Sequence, residues 1–180
     1  MNYNLSKDFI KEVNDTLNNN LKSNTQVKVR DDTPNILVRL GIPNLPMLIT
    51  QNHIKSIIYS IEEAKELGIY KKDINYHGLG KYKFIKAIIE LNNPESVYKI
   101  DKENYLIITK LKDKYNKRIV IPIKVNGKGR YNDIFINENQ IKSVYGRRSL
   151  LNYLKNNNFI EIYKKRRIRF QWRNTIFQRC

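Results

Sequence analysis

The spacing of apolar residues changes once along this chain, at Pro94, and no other feature constrains the fold as much. Before it they recur at helical intervals; after it they gather in strand-length runs between polar turns. Leu5, Phe9, Val13, Leu17 and Leu21 fall on every fourth position, which predicts an amphipathic helix over residues 3–21, frayed by Asn18-Asn19-Asn20. Thr50 is the expected N-cap of a second helix, whose Ile54, Ile57, Ile58, Ile61 and Ala64 form one apolar stripe with Gly68 at its stop. A third is expected from Lys81 to Leu91, with Phe84, Ile85 and Ile88 inward and Asn92-Asn93-Pro94 ending it.

Beyond Pro94 the segments 96–100, 105–111, 118–125, 131–136 and 141–145 read as strands, separated by short polar runs. One of these runs, Asn126-Gly127-Lys128-Gly129, carries the Asn-Gly hairpin signal and is expected as a turn. A short helix over 149–155 and a last strand over 159–163 follow. Helices first and an antiparallel meander after them define an α+β domain, with N-terminal helices packed on the sheet. Polar, aperiodic residues from Lys22 to about Asn35 place a boundary near Thr33. The expected organisation is therefore a helix and linker over 1–32, a domain over 33–165 and a basic tail over 166–180.

Lysine and arginine number 34 against 17 aspartates and glutamates, a formal net charge of +17. Such a potential concentrates polyanions, and 12 tyrosines interleaved with the basic residues suit stacking plus phosphate neutralisation. Nucleic acid is the leading partner class. The one cysteine is Cys180, which excludes an intramolecular disulfide and a cysteine metal site. No HExxH, CxxC or carboxylate cluster at ligand spacing occurs, so neither a metal nor a cofactor is expected. Nothing at the N-terminus resembles a signal peptide and no apolar run approaches the ~20 residues of a membrane span, so the expected location is cytoplasmic.

Read as one strand, Asn139 to Gly146 puts Asn139, Ile141, Ser143 and Tyr145 on one face, and three of the four can hydrogen-bond. His77, in the glycine-bounded run His77-Gly78-Leu79-Gly80 between two helices, is the better placed of two histidines for proton transfer. His53, three residues after Thr50, is expected at a helix rim. Lys124, Lys128, Arg130, Lys142, Arg147 and Arg148 crowd the hairpin and the strand end, where several can converge on phosphate. A histidine, a few donors and a cation suffice for RNA cleavage, because the ribose 2′-hydroxyl is itself the nucleophile.

The runs Leu40-Gly41-Ile42-Pro43-Asn44-Leu45-Pro46-Met47-Leu48-Ile49-Thr50-Gln51, His77-Gly78-Leu79, Asn92 with Pro94, and Asn139-x-Ile141-x-Ser143-x-Tyr145-Gly146 occur in that order. Over about Thr33 to Lys165 the chain resembles the C-terminal domain of phage MuF-type polymorphic toxins, grouped with the barnase, EndoU, colicin and RelE-like (BECR-fold) RNases. The resemblance implies helices on an antiparallel sheet and a nuclease toxin cleaving RNA, with tRNA one candidate, neutralised by an immunity protein. It places the family histidine on His77 and the strand polar residues on Asn139, Ser143 and Tyr145. A basic residue near the scissile phosphate is also implied, with Lys124, Lys128, Arg147 and Arg148 as alternatives; Arg130 is a further phosphate candidate from its position. The N-terminal helix and the basic tail have no counterpart in the resemblance. An immunity protein is expected to be acidic, since it must cover a cationic surface. Two other functions stay open. One is a non-catalytic nucleic-acid-binding phage protein; the other is a NAD-dependent ADP-ribosyltransferase toxin, disfavoured by the lack of a Glu-x-Glu pair on a strand.

Overall fold

Continuous apolar runs beyond Pro94 build a sheet with two covered faces, and the helical segments before it supply the cover for one of them. The computed structural model describes residues 5–165, and the expected basic tail lies outside them. In chain order the elements are α1 (Phe9–Leu17), β1 (Val27–Arg30), α2 (Asn35–Arg39), β2 (Met47–Ile49), α3 (Gln51–Ile58), α4 (Ile61–Glu66) and α5 (Lys81–Glu90). There follow β3 (Ser96–Lys99), β4 (Asn104–Lys112), β5 (Arg118–Tyr131), β6 (Ile134–Ile141), β7 (Tyr145–Arg147), α6 (Leu150–Asn156) and β8 (Ile160–Lys164).

The strands form one sheet in the order β1-β2-β6-β5-β4-β3-β8, with β7 pairing β5. Every pairing is antiparallel except β2 with β6. The chain is thus an α+β fold whose sheet is mostly antiparallel. Period two sends Val97, Ile107, Ile121 and Ile123 to one side, where they meet Phe9 and Val13 of α1, Ile54 and Ile57 of α3, and Phe84 and Ile88 of α5. Phe9 and Phe84 meet edge to face at 5.9 Å, joining the first and last of those helices. Leu106, Ile108 and Val120 point the other way and are covered by Leu154 of α6, with Leu150, Tyr153 and Phe159 packed beside it.

Four local expectations are corrected. The first helix starts at Phe9 rather than residue 3, and Leu5 instead bridges to Arg30. The helix expected from Thr50 to Gly68 is two helices, because Ser60 starts a capping box: its hydroxyl accepts from Glu63 N at 3.2 Å and its N–H donates to Glu63 Oε2 at 2.7 Å. The Asn126-Gly127-Lys128-Gly129 run is not a turn but the far half of β5, and the hairpin turns at Asn132-Asp133, both at positive φ. Gly129 serves close approach, since a Cβ there would lie 2.0 Å from Gln26 Oε1. Finally, the strand expected through Asn139–Gly146 stops at Ile141. Lys142 N donates to Pro122 O at 2.9 Å, but Pro122 has no N–H to return, so the ladder lapses and resumes only at Tyr145, opposite Val120.

Thr33, where the sequence reading divides the chain, is buried. Its hydroxyl donates to Pro43 O and Leu45 O at 3.0 and 2.8 Å. Phe9, Val13, Val27 and Val29, all preceding it, belong to the same core as Ile121 and Ile123. Short β1 and β2 carry this connection, pairing Val27 with Ile49 and Met47 with Asn139.

Candidate functional site

The site is assembled where a helix ends. The last carbonyls of an α-helix have no intrahelical partner, and those of α3 are taken by the His77–Gly80 loop. His77 N donates to Ser56 O at 2.8 Å, Leu79 N to Ile57 O at 2.9 Å, Gly80 N to Ile58 O at 3.0 Å and Gly78 N to Tyr59 O at 2.9 Å. Gly78 permits this docking: its φ is +59°, and a Cβ would sit 3.1 Å from Ser60 Cβ. Four consecutive backbone bonds therefore fix where the His77 ring stands.

That ring meets the segment released by the break at Pro122. Ser143 Oγ lies 3.2 Å from His77 Nε2, and the imidazole stacks on Tyr145 with centroids 5.2 Å apart and planes inclined by 24°. Burial lowers the His77 pKa below its ordinary 6.5, and the nearby His53 lowers it further. The ring is therefore neutral at pH 7, able to accept from the Ser143 hydroxyl or donate to it according to tautomer.

His53 lies on the first turn of α3, where Thr50 Oγ1 caps its N–H at 3.2 Å. Its Nδ1 is buried without a hydrogen-bond partner, and its pKa is lowered by burial and then by the charge of Lys142. His53, His77, Ser143, Tyr145, Lys142 and Arg147 line one open cleft of ≈ 720 Å³, together with Asn52, Ser56 and the 73–76 loop. The Arg147 guanidinium carbon lies 3.6 Å from the centre of the Tyr153 ring, and its Nε is buried without a partner. Burial, with Tyr153 adding to it, raises the Tyr145 pKa above 10, so its phenol stays protonated at neutral pH.

Of the residues singled out in the sequence, His77, Lys142, Ser143, Tyr145 and Arg147 come together in this cleft. Asn139 does not. It is fully buried, its Nδ2 donates to Thr33 Oγ1 at 2.8 Å and Pro43 O at 2.7 Å, and its Oδ1 accepts from Asn126 N at 3.4 Å. It ties β6 to the loop before β2, and neighbouring Ile141 lies in the core. Lys124 pairs with Glu103 at 3.5 Å, and Arg130 with Asp133 at 3.3 Å near the hairpin tip. Lys128 stands opposite Asn137 on the same hairpin, and exposed Arg148 follows β7 without lining the cleft. His53 is the residue that the sequence placed at a rim; with Thr50 as N-cap it falls on the first turn, whose position beside the His77 loop only the tertiary packing reveals. Among the described residues no three His, Cys, Asp or Glu side chains gather to hold a metal ion, and no helix is long and apolar enough to cross a membrane.

Fold and cleft together define a class: an α+β protein with a half-buried pair of neutral histidines facing cations across an open cleft. The model of the phage MuF C-terminal domain family matches residues 69–174, more than half of the chain, and the protein belongs to that family. The matched span includes His77, Lys142, Ser143, Tyr145 and Arg147, and begins after His53. No curated protein and no solved structure matches the chain.

Proposed function

We propose that the protein is a metal-independent endoribonuclease toxin of phage origin, with a BECR-type fold. The observation that carries the reading is the convergence of His77, His53, Ser143, Lys142 and Arg147 on one cleft, in a chain of net charge +17. Transesterification needs one free imidazole and one protonated one: the neutral ring takes the proton of the ribose 2′-oxygen, while the imidazolium form of the other, a minority species at pH 7 because both pKa values are lowered, gives a proton to the departing 5′-oxygen. The bond from phosphorus to the 2′-oxygen forms as the bond to the 5′-oxygen breaks, leaving a 2′,3′-cyclic phosphate and a 5′-hydroxyl. Lys142 and Arg147 offset the charge that gathers on the phosphorane. Ser143 binds a phosphate oxygen and orients His77 through their 3.2 Å contact, rather than attacking. Tyr145 holds the His77 ring by stacking.

The family supports the phage origin, and the helices-then-meander order agrees with the BECR-type fold. An immunity protein for this toxin is acidic and covers the His77–Ser143 surface, because a cationic cleft is blocked most directly by carboxylates. Purified protein incubated with total RNA, tRNA included, in excess EDTA is expected to yield fragments ending in 2′,3′-cyclic phosphate. His77→Ala is expected to lower the rate by roughly 10²- to 10⁴-fold. Intact RNA, or equal cleavage by His77→Ala, refutes the proposal.

A further inference from the structure

Beside the histidine cleft lies a second one of ≈ 280 Å³, which shares Asn52, Ile74 and Tyr76 with it. Tyr76 thus stands on the wall between the two. Its hydroxyl is held at both ends, donating to Ile69 O at 2.9 Å and accepting from Lys71 N at 3.2 Å. Its ring is buttressed by Tyr70, with centroids 5.9 Å apart and planes inclined by 29°, and Lys65 Nζ lies 5.3 Å over the Tyr70 ring. An aromatic ring fixed in this way loses little freedom when something stacks on it. Lys55 and Lys71 border the same small cleft, and the exposed Asn52 amide stands at the junction of the two.

We propose that this second cleft is a nucleobase subsite: an unpaired base stacks on Tyr76, Asn52 reads its edge, and Lys71 neutralises the adjoining phosphate. A stacked nucleotide plus a lysine and an amide is the recognition chemistry of unpaired strands, whose bases can be splayed out. A base held in a duplex cannot reach a ring on a cleft wall. The substrate is therefore single-stranded at the position next to the cleaved bond, and the inference rests to that extent on the nuclease reading.

The test uses a 2′-O-methyl oligoribonucleotide, which has no free 2′-hydroxyl and cannot be cut by the proposed chemistry. By fluorescence anisotropy the whole protein is expected to bind the single strand at least about tenfold more tightly than a duplex of the same sequence. Tyr76→Leu is expected to lose roughly tenfold or more in single-strand affinity, while Tyr76→Phe, which keeps the ring, stays within about threefold of wild type. Equal affinity of wild type for the two forms, or equal loss in the Phe and Leu variants, overturns the subsite. Selective single-strand binding without cleavage of unmodified RNA keeps the subsite and refutes the nuclease. Cleavage without strand preference does the reverse.

Discussion

His53 and His77 are the two histidines of the chain, and burial lowers the pKa of both, so the protein carries a pH signature that can be assigned. In the unfolded chain each titrates near 6.5. Where the folded pKa is lower, the unfolded state binds more protons as pH falls through that value, and stability drops until the folded pKa is passed. Above about pH 7 this contribution is flat. Glu12 and Glu138, whose pKa values burial raises, act with the opposite sign, losing stability as pH rises above their unfolded value near 4.5. The histidine part is isolated by difference: urea midpoints of wild type and of His53→Asn/His77→Gln are compared at pH 7.5 and 5.5. Wild type is expected to lose more than the double variant on acidification. A double variant that falls as steeply shows that the two rings are not held neutral. The same neutrality puts free imidazole in the cleft at pH 7, as the proposed general base requires, and leaves the protonated acid a minority form.

At the scale of elements, the site depends on the docking of a loop onto the end of α3. Gly78→Ala tests it, because the residue must keep φ at +59° while its new Cβ presses on Ser60 at 3.1 Å. The left-handed conformation alone costs about 1–2 kcal/mol for a residue with a Cβ. Gly41 has φ +89° with nothing within 4 Å of the Cβ position, so Gly41→Ala carries strain without a clash. Both variants are expected to be destabilised in urea, but Gly78→Ala alone is expected to lose cleavage in proportion to molecules still folded, since His77 moves with the loop. Equal activity per folded molecule in the two variants counts against that coupling. The legibility of these elements in the sequence follows their length and cover. α3 and α5 bury one stripe, and β3 and β4 lie in strand-length apolar runs bounded by polar turns, so all four are legible in the sequence. β1 and β2, of four and three residues, are too short to show a period, and β2 is buried at every position. Gly129 reads as a turn residue because glycine for close approach and glycine for a turn look alike in a sequence. The turn residues Asn132 and Asp133 reach positive φ with no glycine at all.

At the scale of the molecule, a net charge of +17 is what suggests the proposed polyanionic partner, and it does not locate a site. Lys124, Lys128 and Arg130 lie near Ser143 in sequence, yet the long β5–β6 hairpin carries the last two away and curls its tip onto the N-terminal segment. There Gln26 N donates to Arg130 O at 2.8 Å and Tyr131 donates to Glu12 Oε1 at 2.8 Å. Lys142 and Arg147 border the histidines, and Lys55 and Lys71 border the small cleft beside them. If these four are the cations that meet phosphate, the salt dependence of binding counts them. Each phosphate neutralised on a single strand contributes about −0.7 to the slope of log affinity against log salt, which gives roughly −3 for four. Affinity for the 2′-O-methyl strand is then expected to fall roughly 50-fold between 50 and 200 mM salt. Lys142→Gln and Lys71→Gln are each expected to flatten that slope by about 0.7, whereas Lys128→Gln leaves it unchanged. A Lys128→Gln effect equal to that of Lys142→Gln places the strand along the hairpin instead. It also breaks the link between the cleft and the net charge of +17.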